Sequence, residues 1–166
     1  MRVRRVLPKV AAMTPVITLT DPESAEARTC LQHYYDLLNA RFETGFEVAK
    51  SADPQADQMR PPKGGFWLAR LAGQPVACVG LKGGADYGEI KRLWVAESAR
   101  GQGLAKRLMQ VAEDYARALG MTLLRLDTNA KLPEAIAMYR NSGWSEIDRF
   151  NDDPYPTHFF EKRRNC

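Results

Sequence analysis

The stretch from Glu89 to Asp127 constrains this chain more than any other. It reads as a strand (EIKRLWV), a loop holding Gly101 and Gly103, a helix, and a second strand (TLLRLD). Over the helix, Leu104, Leu108, Val111, Ala112, Tyr115 and Leu119 recur at spacings of three and four, and Gly120 stops it. A strand, a helix and a strand joined by so little loop require a parallel crossover, expected to be right-handed. A purely helical fold and a purely antiparallel one are both excluded.

The flanking segments supply the rest of the sheet. VITLT at Val16–Thr20 reads as a first strand. Ala27, Leu31, Tyr34, Leu38 and Phe42 mark an amphipathic helix from Glu23 to about Phe42, and a second short helix is expected over Glu43–Lys50. Ser51–Lys63 carries three prolines and reads as a loop. Phe66–Leu71 and Val76–Leu81 form a hairpin across Ala72–Pro75. Pro133–Asn141 is a helix with proline in its first turn and Gly143 beyond its end, and Trp144–Ile147 and Thr157–Lys162 are the last strands. The expected fold is α/β (or α+β): a mixed, mostly antiparallel sheet of about six or seven strands with about four helices.

Length and charge narrow the function. The 166 residues, 45% hydrophobic and 27% charged, suit one domain, taken as residues 15–164 after a basic N-terminal arm over 1–14. The net charge of +4 belongs to that arm: Arg2, Arg4, Arg5 and Lys9 stand in its first twelve residues without an acid, and the remainder is balanced. The body therefore has no general attraction for a phosphate backbone, and no nucleic-acid partner is expected. The arm reads as unstructured, or as lying upstream of Met13 as initiator; an Arg-rich, acid-free transit peptide is the alternative. No apolar run reaches the ~18 residues of a membrane span. Cys30, Cys78 and Cys166 are scattered, as expected in a reducing cytoplasm, and His33 and His158 lie too far apart in sequence to suggest a metal site. Cys78 reads as a small buried apolar residue.

The chemistry concentrates at Arg100–Ala105, RGQGLA. A helix N-terminus offers unpaired N–H groups and a partial positive charge, glycines admit a ligand close to the backbone, and Arg100 adds a cation. This is a cradle for a phosphate or pyrophosphate; a tight turn that merely caps the helix is the alternative. A P-loop would require Gly-Lys-Ser/Thr, which Gly103-Leu104-Ala105 lacks, and Lys106 stands where a dinucleotide fingerprint has its third glycine. Only 39 residues follow Asp127, too few for the second half of a doubly wound sheet.

The same segment resembles the acetyl-CoA pyrophosphate signature of the GNAT N-acetyltransferase superfamily, (Gln/Arg)-x-x-Gly-x-(Gly/Ala). EIKRLWV looks like the fourth strand of those enzymes, TLLRLD like the fifth, and Ala135–Trp144 like the following helix and turn. The resemblance implies a central parallel pair of strands splayed to admit acetyl-CoA as cosubstrate, and no metal. It implies that the backbone of Leu93, Trp94 and Val95 pairs with the pantetheine arm. Arg100, Gly101, Gln102, Gly103, Leu104 and Ala105 would hold the pyrophosphate. Tyr139 matches the tyrosine that assists the departing thiolate, against the alternative of a core aromatic. Glu89 is the candidate general base, against a salt bridge to Lys91 or Arg92. By strand alternation Glu89, Lys91, Leu93 and Val95 share one face and Ile90, Arg92 and Trp94 the other. Where many members carry an asparagine seven residues before the tyrosine, this chain has Leu132.

The implied function is acetyl transfer from acetyl-CoA to a primary amine by direct attack in a ternary complex. The acceptor is a small-molecule or peptide amine, with no membrane partner and with a homodimer compatible with the chain. A CoA-binding regulatory protein without turnover is the alternative. The acidic Glu146–Asp153 stretch is able to attract an amine or to be an ordinary solvated loop.

Overall fold

The computed structural model describes residues 14–48 and 57–163. The expected basic arm and part of the proline-rich loop lie outside them. Seven strands form one sheet: β1 (Val16–Leu19), β2 (Gly65–Leu71), β3 (Gln74–Lys82), β4 (Gly88–Val95), β5 (Leu123–Thr128), β6 (Ser145–Ile147) and β7 (His158–Arg163), in the spatial order β1-β2-β3-β4-β5-β7-β6. Three α-helices accompany them: α1 (Ala25–Arg41), α2 (Leu104–Ala118) and α3 (Pro133–Asn141). Every strand pairing is antiparallel except β4 with β5.

Local chemistry accounts for the boundaries. Ser24 Oγ accepts from the Ala27 N–H and opens α1. The β2–β3 hairpin turns on two residues, Ala72 and Gly73, at φ +49° and +77°; this left-handed pair matches the twist of the flanking strands. The helix expected over Glu43–Lys50 does not form in residues 43–47. Phe42 is extended, Gly45 sits at φ +74°, and Asn39 Oδ1 accepts from the Phe46 N–H, which ties the chain back against α1. Three α-helices rather than four are therefore present among the described residues.

Helices cover both faces of the sheet. On one side α2 and α3 bury Leu104, Leu108, Ala112, Ile136 and Tyr139 against Ile90, Leu124, Leu126 and Phe160. On the other, α1 packs Ala27, Cys30 and Leu31 against Phe66, Leu68, Cys78 and Trp94.

Alternation along β4 breaks at Arg92. Cys78 pairs with Trp94 but Gly80 with Lys91, so β4 holds one extra residue, and Arg92 stands at φ +57°. The expectation that Leu93 and Val95 share a face with Glu89 and Lys91 is thereby corrected. Beyond the bulge Leu93 and Val95 pack with Ile90 on the α2 side, while Trp94 turns to the α1 side and stacks on His33 at 5.3 Å. Arg92 also points to the α1 side, with Nη1 3.9 Å from Met59 Sδ. The Cys78 thiol donates to the Arg92 carbonyl at 3.3 Å and holds the bulge from β3.

Leu108 is fully buried where α2 lies on the sheet. Leu108→Ala should lower the free energy of unfolding by about 2–5 kcal/mol. The change should appear in urea titration as a lower midpoint with an unchanged slope.

Candidate active site

Strands β4 and β5 pair only from Gly88↔Leu124 to Ile90↔Leu126. Past that point β4 stays with β3 and β5 with β7, and the sheet opens between them. Two clefts meet at the opening. The first is lined by Leu93–Val95, Arg100, Gly101 and Gly103–Lys106 from the β4–α2 side, and by Leu132, Glu134, Ala135 and Met138 from α3 and its approach. The second is lined by Tyr34, Tyr35, Phe42 and Phe46, by Lys91 and Arg92, by Asp127–Asn129, and by Tyr139, Asp153 and Tyr155. Tyr34, Leu93, Leu132 and Ala135 border both.

The first cleft has the features of an anion cradle. Gly103, the N-cap of α2, is left-handed at φ +74° and offers no side-chain cap. The first helical bond runs from Arg107 N to the Gly103 carbonyl, so the N–H groups of Leu104, Ala105 and Lys106 have no acceptor within the helix. A Cβ at Gly101 or Gly103 would meet nothing within 4 Å, so the space above the loop is open. A pyrophosphate fits such a site in charge and in hydrogen-bonding sense. Arg100 lines the cleft with its Nε donating to the Val95 carbonyl at 3.1 Å. Gln102 is exposed and does not line it. Lys106, which the sequence did not count among the cradle residues, does. An ion pair between Arg41 and Glu134 straps α1 to α3 beside the opening.

Tyr139 lies in the second cleft, 5% exposed, its ring 5.8 Å from Phe160 and 6.2 Å from Trp144. Burial holds its phenol well above the ordinary tyrosine range, so it is protonated at any physiological pH.

Glu89 stands on the α1 side of β4, 8% exposed, with Lys91 Nζ 3.9 Å from Oε1. It lines a separate recess with Lys82 and the Gly83–Tyr87 turn, not the cleft that holds Tyr139. Burial raises its carboxyl above the usual range, Lys91 opposes this, and Asp127 adds to it. Asp127, which the sequence marked only as the end of the TLLRLD strand, does line the Tyr139 cleft. Burial raises its carboxyl too, against a hydrogen bond from Asn151 Nδ2 at 2.7 Å and the charge of Lys91. The aromatic wall of this cleft was also invisible in the sequence, because its rings come from segments more than a hundred residues apart.

A carboxyl raised by burial binds its proton more tightly folded than unfolded. It therefore costs stability as pH rises through and above its ordinary range, and the cost is relieved in acid. Asp127→Asn should accordingly melt at least as high as the parent at pH 7.5. Its advantage should shrink as pH falls toward 4.5, read by circular dichroism; an advantage that grows in acid would contradict the burial argument.

Known proteins share this frame. Residues 31–144 match the family model described as Acetyltransferase (GNAT) family. An uncharacterized N-acetyltransferase of Escherichia coli, YjgM, is 32% identical over 151 residues, covering 84% of this chain and 87% of that one. An IAA acetyltransferase of Azospirillum brasilense is 37% identical over 92 residues, 54% of this chain and 59% of the relative, so that match spans little more than half of its length. A GNAT-family acetyltransferase from Elizabethkingia anophelis, solved with acetyl-CoA bound, superposes at TM-score 0.62 over 90% of this chain and 98% of its own, at 17% identity. With its sheet opened at β4 and β5 and a matching model over most of its length, the chain belongs to the GNAT family of acetyltransferases.

Proposed function

We propose that this chain transfers the acetyl group of acetyl-CoA to a primary amine, both substrates being bound at once. The observation that carries the reading is the junction of the two clefts. The glycine loop at the start of α2 opens into one, Tyr139 lines the other, and Leu93, Leu132, Tyr34 and Ala135 border both. Bound acetyl-CoA would supply an activated acetyl thioester at that junction. Acetyl-CoA bound to a neighbour of the same fold supports this cosubstrate.

The chain's own groups divide the work. The N–H groups of Leu104, Ala105 and Lys106, with Arg100 and Lys106 beside them, hold the pyrophosphate. The end of β4, released from β5, offers backbone of Leu93, Trp94 and Val95 to the amides of the pantetheine arm. Leu132, which caps α3 in place of an asparagine, gives an apolar border here. Tyr139 keeps its proton until a thiolate develops and donates it then. The amine must lose a proton before it attacks, and two carboxyl groups on the α1 side of the sheet are candidates: Glu89 on β4 and Asp127 on β5. Both are raised by burial toward the range in which a carboxylate takes up protons effectively. Holding both reactants at the opening supplies orientation, which accounts for a large share of such rate enhancements.

Gly103→Glu, which puts bulk and negative charge into the open space of the cradle, should abolish acetyl-CoA binding in calorimetry with the fold intact. Tyr139→Phe keeps the ring; its turnover should fall by about 10–100-fold or more in a thiol-release assay, with acetyl-CoA affinity unchanged. Acetyl-CoA binding without thiol release for any amine would favour a CoA-binding regulatory protein.

A further inference from the structure

The second cleft has two unlike sides. One is a continuous aromatic wall: Tyr35 stacks on Phe46 at 5.6 Å, Phe46 meets Tyr155 at a tilt with centroids 4.6 Å apart, and Phe42 stacks on Tyr155 at 5.6 Å. Two hydrogen bonds pin it, from Glu47 N to Tyr155 Oη at 2.8 Å and from Asn129 Nδ2 to the Tyr155 carbonyl at 2.7 Å. The wall therefore joins α1, the turn after it and the β6–β7 connection into one surface.

The other side presents Asp127. Its Oδ2 accepts from Asn151, while no hydrogen bond from a described residue reaches Oδ1. The charges around it also have other partners. Lys91 faces Glu89, and Arg92 is directed toward Met59. Arg149 donates to the carbonyls of Asn151, Asp153 and Pro156 and lies over the Phe159 ring. The Asp153 carboxylate accepts from the Tyr155 N–H. From α1 and α3 the titratable groups lining the cleft are the phenols of Tyr34, Tyr35 and Tyr139. A carboxylate oxygen with spare capacity, set opposite a wall of rings, is a site for an ammonium on an apolar body.

Building on the acetyl-transfer reading, we propose that the acceptor is a primary amine carried on an aromatic body, with the ring against Phe46 and Tyr155 and the nitrogen on Asp127. The ammonium gives one proton to the Asp127 carboxylate. Its freed lone pair forms the C–N bond to the acetyl carbon as the C–S bond breaks, and the sulfur keeps that electron pair. Tyr139 protonates the sulfur and recovers a proton from the acylated nitrogen. Asp127 returns its own proton to solvent, so the amide, the free thiol and one proton leave. Asp127 thereby touches the reacting atom, and Glu89, in its own recess beyond Lys91, does not.

The test compares phenethylamine with butylamine, putrescine and amino acids on the full chain, by thiol release. Phenethylamine should show the highest kcat/KM, by about tenfold over butylamine, in keeping with the area a ring buries. Asp127→Asn should lower that kcat/KM by about 100-fold or more, with acetyl-CoA affinity by calorimetry unchanged. It should also remove the acid limb of the pH profile. Phe46→Ala should raise KM for phenethylamine and leave that for butylamine nearly as before. A measurement on the unaltered protein stands independently of how the variants fold: 2-phenylethanol, which keeps the ring and lacks the charge, should compete with the amine at least about tenfold more weakly than phenethylamine itself binds. The proposal is overturned by a preference for putrescine or for amino acids, by a greater loss with Glu89→Gln than with Asp127→Asn, or by 2-phenylethanol binding as tightly as the amine. Failure of the unaltered chain to bind acetyl-CoA would instead overturn the acetyl-transfer reading beneath it.

Discussion

Everything at the site depends on the pairing of β4 with β5 stopping after three residue pairs. A parallel ladder left unfinished inside a sheet exposes main-chain groups that a complete sheet would satisfy, and such groups are costly unless something pairs with them. The chain maintains the opening from both sides. On β4 the bulge at Arg92 turns the strand, at the expense of a left-handed non-glycine residue worth about 1 kcal/mol. The Cys78 thiol fixes the bulged carbonyl from the neighbouring strand. On β5 the ladder continues with β7 through Thr128, which holds that strand on its own course.

The opening also makes the two faces of the molecule communicate. Helix α3 packs with α2 on one side of the sheet and α1 lies on the other, yet Tyr139 of α3 and Tyr34 of α1 line the same cleft. In a closed sheet the strands would separate them. The apolar border they share with Leu93 and Leu132 joins a cradle for anions to a cleft with a carboxylate. Buried carboxyl groups at Glu89 and Asp127 are a cost to the fold, only partly offset by Lys91 between them. Groups held in a state that the unfolded chain would not favour are common where a protein must move protons.

Much of this was legible in the sequence. The period of α2 and the glycines before it announced a helix start without a capping side chain, and the strand–helix–strand order required a parallel pair. Those signals are local: hydrophobic spacing sets which face of a helix is buried, and a glycine pair lets the backbone adopt positive φ. They also pointed to a cradle at Arg100–Ala105; all of these but exposed Gln102 line the first cleft, and Lys106 lines it with them. The proline opening α3 and the tyrosine within that helix were likewise readable from order alone.

Tertiary structure decided the rest. Strict alternation put Leu93 with Glu89; one extra residue in β4, visible only against the register of β3, reversed every side chain after it. The short helix after α1 was lost to Gly45 and to a hydrogen bond from Asn39, a competition that propensity does not weigh. The sequence offered Glu89 as the base and did not weigh Asp127. They differ because one side chain enters a recess by the β3–β4 turn, while the other enters the cleft walled by Phe42, Phe46 and Tyr155. The sequence by itself determined the strands, the three long helices and the glycine loop that leaves the start of α2 without a capping side chain, because those follow from contacts within a few residues. Only the tertiary structure decided which carboxylate faces which cavity, because that follows from strand register between segments distant along the chain.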